Sequence, residues 1–294
     1  MQWGRILTAM VTPFTDEGKL DLDGAQKLAL YLVEHGSDGL VVAGTTGETP
    51  TLSFKEKLEL FQAVKSAVGD RAAVLAGTGS NDTAASIELS KEAEALGLDG
   101  LMLVAPYYNR PPQEGLYRHF KAIAEATTLP VIIYNIPSRT GCNINVDTVV
   151  RLAEIDNIVA IKEASGNMDQ ATAIMQQAPE GFSLYSGDDS LTLPLMAMGA
   201  RGVISVAAHV IGPQMQAMVS AYVSGDVNKA AKIHQELFPV FKALFISVNP
   251  VPVKAALAML GLPAGPVRLP LVGLNSSEKE VLATALQQAG VLAR

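Results

Sequence analysis

Ile158-Val159-Ala160-Ile161-Lys162-Glu163-Ala164-Ser165-Gly166 sets four apolar, partly β-branched residues directly before a lysine. The apolar run reads as a strand buried on both faces, as in a parallel sheet. An ammonium at the mouth of an apolar element carries a large desolvation cost and tends to lose its proton there. A neutral amine is a nucleophile able to form a Schiff base with a carbonyl. The competing reading is a strand-end lysine that reaches solvent and pairs with Glu163.

On either side of this stretch, apolar strands alternate with amphipathic helical stretches. Strands are expected at Ile6 to Val11, Leu40 to Ala43, Ala72 to Ala76, Leu101 to Val104, Val131 to Asn135, the Lys162 stretch, Phe182 to Tyr185 and Gly202 to Val206. Helices are expected at 22–35, from Ser53 to about Val68, Asp82 to Leu96, Gln113 to Ala126, Val146 to Ala153, Asp169 to Ala178 and Leu191 to Met198. Ser53 with Glu56 three residues on has the pattern of a capping box. Pro106, Pro111 and Pro112 force a loop after the fourth strand, and Pro137 cuts the fifth. Strand–helix alternation implies a parallel sheet, and eight repeats imply an α/β fold closed as a (β/α)8 TIM barrel. Beyond about residue 225 only helices are expected, at Val227 to Val248, Val251 to Leu260 and Ser276 to Ala289. The expected organisation is a catalytic barrel over 1–225 with a C-terminal helical extension, 226–294, packed on it.

Composition narrows the function classes. The chain has 294 residues, enough for one barrel domain, and its 49% apolar and 17% charged content argues against disorder. A net charge of −7 disfavours nucleic acid. No run of 18 apolar residues predicts a membrane span, and the N-terminus lacks a signal-peptide pattern. The single cysteine, Cys142, fits a reducing cytoplasm. It and the four scattered histidines show no metal-ligand spacing, so no metal is expected. Gly77-Thr78-Gly79 lacks the third glycine of a dinucleotide fingerprint.

Barrel active sites form where strands end. Thr45 and Thr46, Tyr107 and Tyr108, Tyr134, Lys162 and Gly187 all fall there. A lysine beside a phenol from the neighbouring strand is a nucleophile next to a proton donor. Gly44-Thr45-Thr46-Gly47-Glu48 is a glycine-bounded turn with exposed backbone N–H groups, suited to a small carboxylate or phosphate. Arg139, in a loop on the same rim, has a planar fork that suits a carboxylate.

Gly44-Thr45-Thr46-Gly47-Glu48, Tyr134-Asn135-Ile136-Pro137-Ser138-Arg139-Thr140-Gly141, Ile161-Lys162-Glu163 and Pro106-Tyr107-Tyr108-Asn109-Arg110-Pro111 together resemble the dihydrodipicolinate synthase family. The resemblance runs along nearly the whole chain. It implies pyruvate-dependent class I aldolase chemistry in lysine and diaminopimelate biosynthesis, with pyruvate and L-aspartate 4-semialdehyde as substrates. It implies no cofactor beyond a covalent imine of pyruvate on Lys162. It makes Tyr134 the proton donor and acceptor, and Thr46 a relay between Tyr134 and Tyr108, with Tyr108 entering from a neighbouring subunit. Thr45 and Thr46, helped by Gly187 and Ile204, would hold the pyruvate carboxylate, and Arg139 that of the semialdehyde. The resemblance also implies a homotetramer built as a dimer of dimers.

N-acetylneuraminate lyase and keto-deoxy sugar-acid aldolases share the lysine and the tyrosine. The threonine pair and Arg139 favour the synthase, since a charged fork suits a short acidic aldehyde. A barrel that only binds a keto acid is the non-enzyme alternative, and Lys162, Tyr134 and Thr46 together argue against it. Lysine-inhibited members of the family carry histidines and a glutamate where this chain has Phe54, Lys57 and Ala85. Asn81 and Tyr107 are kept. A cationic Lys57 should repel a lysine effector, so weak or absent lysine inhibition is expected.

Overall fold

A computed structural model describes residues 3–293. Eight strands, each buried on both faces, form one closed barrel in sequence order. They are β1 (Ile6–Ala9), β2 (Gly39–Val42), β3 (Ala73–Gly77), β4 (Gly100–Val104), β5 (Val131–Asn135), β6 (Ile158–Glu163), β7 (Ser183–Ser186) and β8 (Gly202–Ser205). The register is parallel wherever it is described. The expected α/β barrel is therefore the fold.

The described residues fall into two compact units. One is Ala73–Ile204; the other joins the residues up to Ala72 with those from Ser205 onward. Ala73–Ile204 contains β3 to β7 and six helices: α3 (Thr83–Ala95), α4 (Gln113–Ala124), α5 (Pro137–Thr140), α6 (Val146–Ala153), α7 (Met168–Gln177) and α8 (Thr192–Ala197). Helix α4 presents Leu116, Phe120 and Ile123 to the interior at helical spacing, all fully buried. The other unit contains β1, β2, α1 (Leu22–Glu34), α2 (Phe54–Val68), α9 (Ala208–Val223), α10 (Val227–Ala243), α11 (Val251–Met259) and α12 (Ser276–Gln288). Helices α1 and α2 pack together, with Leu28, Leu32, Leu60 and Phe61 buried; α10 and α11 pack on α9, and α12 packs on α10 and α11.

Local chemistry sets the helix ends. The capping box at Ser53 forms: the Glu56 amide donates to Ser53 Oγ at 3.2 Å, and the Ser53 amide to Glu56 Oε2 at 2.8 Å. Asp21, Asp82 and Asn167 cap α1, α3 and α7 by accepting a backbone N–H in the first turn. Helix α10 ends at Ala243, short of the expected Val248, and two other helices were not expected. Helix α9 is one, because Gln214, Gln216 and Ser220 are too few among its apolar residues to mark a clear polar stripe, and it kinks at Ile211, just before Gly212-Pro213. Helix α5 is the other, a single turn that Pro137 starts and Gly141, at φ +72°, ends. No helix among the described residues is long and apolar enough to cross a membrane.

Candidate active site

The chemistry-bearing residues of Ala73–Ile204 sit at the ends of adjacent strands. In the register, Val104 of β4 pairs with Tyr134 of β5, Tyr134 with Lys162 of β6, and Lys162 with Tyr185 of β7. Residues paired across strands share a face, and successive residues alternate between faces. Tyr134, Lys162 and Tyr185 therefore stand on one face, and Asn135, Glu163 and Ser186 on the other. Lys162 is the fifth residue of β6 rather than the first after it. Its Nζ lies 4.2 Å from the centroid of the Tyr134 ring, and both side chains are buried.

Burial pushes the Lys162 amine down from its ordinary 10.5 to about 7; Asp189 partly opposes this shift, and the Arg139 guanidinium adds to it. An amine near 7 is substantially neutral at physiological pH, the state that attacks a carbonyl. Asp189, itself buried, lies in the turn after β7 and was not singled out in the sequence. Its signal was its position two residues past Gly187. Gly187 closes the site from the β7 side. Its amide donates to the Glu163 carbonyl at 2.8 Å, and a Cβ there would lie 2.6 Å from Ala164 Cβ and 3.2 Å from Lys162 Cε. Only glycine fits without displacing Ala164 and crowding the lysine.

Arg139 stands in α5, exposed, immediately beyond the end of β5. Ile204 is buried in β8. Glu163 does not pair with Lys162. Its carboxylate accepts from Asn135 Nδ2 at 3.0 Å, Gln170 Nε2 at 3.2 Å and the Ser165 amide at 2.6 Å. Tyr108 is 90% exposed and adopts φ +70°, a conformation costly for a non-glycine residue. This backbone turns the phenol away from its own chain's core.

The Gly44–Glu48 turn belongs to the other unit. The amides of Gly47, Glu48 and Thr49 close it by donating to the carbonyls of Gly44 and Thr45, so fewer of its N–H groups face outward than the sequence suggests. Thr12 Oγ1 donates to the Gly47 carbonyl at 2.6 Å. Thr46 is buried, and its Oγ1 accepts from Asn249 Nδ2 at 2.9 Å. Thr45 is half-buried. Glu48 adopts φ +56°, and its buried carboxylate accepts from Lys254 Nζ at 2.8 Å and the Arg268 amide at 2.9 Å. Lys254 also donates to the carbonyls of Thr12, at 3.0 Å, and Pro266, at 2.6 Å. Sequence reading missed Asn249 and Lys254. For Lys254 the signal was a lone lysine in the apolar run Val251 to Met259.

The arrangement couples a buried, largely neutral amine to a phenol, with a guanidinium nearby, and this is the equipment of imine chemistry. A model of the dihydrodipicolinate synthetase family matches residues 2–289. The chain is 74% identical to the 4-hydroxy-tetrahydrodipicolinate synthase of Moorella thermoacetica, covering 99% of this chain and 100% of that one. It is 60% identical to the synthase of Desulforudis audaxviator, covering 99% of each. The dihydrodipicolinate synthase of Cyanidioschyzon merolae, solved with lysine bound, superposes with a TM-score of 0.97 at 50% identity over 99% of both chains. With the family model matching residues 2–289 and its relatives aligned over 99% of its length, the chain belongs to the dihydrodipicolinate synthetase family.

Proposed function

We propose that this chain is a 4-hydroxy-tetrahydrodipicolinate synthase, a lyase that condenses pyruvate with L-aspartate 4-semialdehyde in lysine and diaminopimelate biosynthesis. The observation that carries the reading is the buried Lys162 amine, shifted to about 7 and set 4.2 Å from the Tyr134 ring. The names of its full-length relatives support a synthase over a sugar-acid aldolase.

Lys162 attacks the ketone of pyruvate, and the carbinolamine loses water to give a protonated imine. The imine is the electron sink, so no further cofactor enters. A methyl proton leaves, the resulting enamine attacks the aldehyde carbon, and the aldehyde oxygen takes up a proton. The α-amine of the second substrate then adds to the imine carbon and expels Lys162, which closes the ring. Tyr134 gives and takes the protons of these steps, with Thr46 and the Tyr108 of a neighbouring subunit as its relay. The pyruvate carboxylate is held by Thr45 and Thr46 with Gly187 and Ile204, and that of the semialdehyde by Arg139. A cytoplasmic homotetramer is part of the same reading; the exposed, strained Tyr108 supports a contact with a neighbouring subunit.

Borohydride reduction in the presence of pyruvate tests the chemistry. A covalent pyruvate-derived mass increase on Lys162 is expected, absent in Lys162→Ala. A coupled assay with aspartate semialdehyde and with N-acetylneuraminate tests the substrate. Cleavage of the sugar acid without condensation of the semialdehyde would overturn the assignment.

A further inference from the structure

The last two residues of β5 and β6 pair as Tyr134 with Lys162 and Asn135 with Glu163, and the two pairs face opposite sides of the sheet. Tyr134 and Lys162 account for the reaction. The second pair is just as deeply buried, and the mechanism leaves it without a role.

The Asn135 side chain has three of its four hydrogen-bonding positions engaged, both donors included. Its Nδ2 donates to Asn143 Oδ1 at 2.8 Å and to Glu163 Oε2 at 3.0 Å, while its Oδ1 accepts from the Ile144 amide at 3.0 Å. A flipped amide would set its oxygen against two acceptors, so one orientation is selected. These bonds tie the end of β5 to Asn143 and Ile144. The intervening segment is thereby closed at its base, with Arg139 in its single helical turn. Glu163 orients Asn135 from the β6 side and holds Gln170, whose Oε1 in turn accepts from Asn143 Nδ2 at 2.7 Å. The strand that supplies the nucleophile therefore also anchors the segment that carries the guanidinium.

We propose that Asn135 and Glu163 are a positioning pair that fixes Arg139 relative to Lys162 and so governs recognition of the carboxylate on the aldehyde substrate. The kinetic consequence rests on the synthase reading above; the structural claim does not. Glu163→Gln tests both, because three donors converge on this carboxylate and an amide turns its own N–H toward at least one of them. KM for the semialdehyde is expected to rise about 10- to 100-fold, the range for one lost hydrogen bond to a charged group. KM for pyruvate and borohydride trapping of pyruvate should change little. In an Arg139→Ala background the same substitution should add less than about twofold, since both changes act through one side chain. Hydrogen exchange over 137–145 should quicken in Glu163→Gln. If that variant does not fold, Asn143→Ala, cutting the same tie from the segment side, is read in its place.

Equal rises in both KM values, or the full penalty in the Arg139→Ala background, would overturn the proposal. If the wild-type chain condenses nothing, the synthase reading alone fails. Exchange then decides the positioning claim, and unchanged exchange over 137–145 refutes it.

Discussion

Replacing Lys162 with methionine should make the protein more stable, by an amount that depends on pH. The folded state holds the amine near 7 against an ordinary 10.5, a gap of about 3.5 pH units. Each unit is worth about 1.4 kcal/mol, so the fold bears at most about 5 kcal/mol for carrying this lysine below pH 7. Between pH 7 and 10.5 the folded chain has shed the proton and the unfolded chain still binds it. Stability therefore rises with pH in that window, and the penalty shrinks by about 1.4 kcal/mol per unit. Methionine is also unbranched and of similar length, and it has no charge to desolvate. Unfolding entropy of about 2.1 cal/mol/K per residue over 294 residues turns the ceiling into a Tm increase of roughly 8 °C. Urea unfolding of both proteins at pH 6 and pH 9 reads the effect directly. The variant should be stabilised at pH 6, and its advantage should narrow by about 3 kcal/mol by pH 9. No gain at pH 6, or a gain that ignores pH, would refute the claim that a desolvated lysine is held here for chemistry at the expense of stability.

Other outcomes follow from single sites. His209 is fully buried as a neutral ring, accepting from the Val11 amide at 3.1 Å and donating from Nδ1 to the Val206 carbonyl, and burial lowers its pKa to about 4. Its contribution is complete above about 6.5 and is lost as pH falls toward 4, so His209→Gln should flatten that part of the acid-unfolding profile by up to about 1.4 kcal/mol per pH unit. Lys254→Met leaves the Glu48 carboxylate buried without its ammonium and should cost about 3–5 kcal/mol in urea unfolding, with partial recovery in the Glu48→Gln, Lys254→Met double variant. Tyr134→Phe should lower the condensation rate about 100-fold or more while leaving the lysine in place, since it removes a proton donor and no packing volume. Phe54, Lys57 and Ala85 predict little lysine inhibition, and half-inhibition at submillimolar lysine in the coupled assay would contradict that.

Much of the fold was legible in the chain because the alternation of strand and helix is a local signal. Most strands buried on both faces read as apolar runs, and the expected bounds fell within one or two residues of the observed ones. Lys162 was legible for the same reason, as a charge set against four apolar residues. Helix α9 was not, because its few polar residues leave only a weak stripe to detect. The strand-end phenol and amine could be named from sequence, but their 4.2 Å approach is a matter of register between β5 and β6.

Alternation of apolar and amphipathic segments determined the barrel from the amino-acid order alone, and the residues at each strand end pointed to the chemistry proposed above. The tertiary structure decided which neighbours each charge meets. Glu163 lies next to Lys162 in the chain yet bonds to Asn135, 28 residues away, because adjacent residues of a strand face opposite sides. Glu48 finds its ammonium 206 residues on, at Lys254, and no local pattern records a contact across such a separation. Desolvation, which turns an ordinary lysine into a neutral nucleophile, depends on everything packed around it and exists only once the chain has folded.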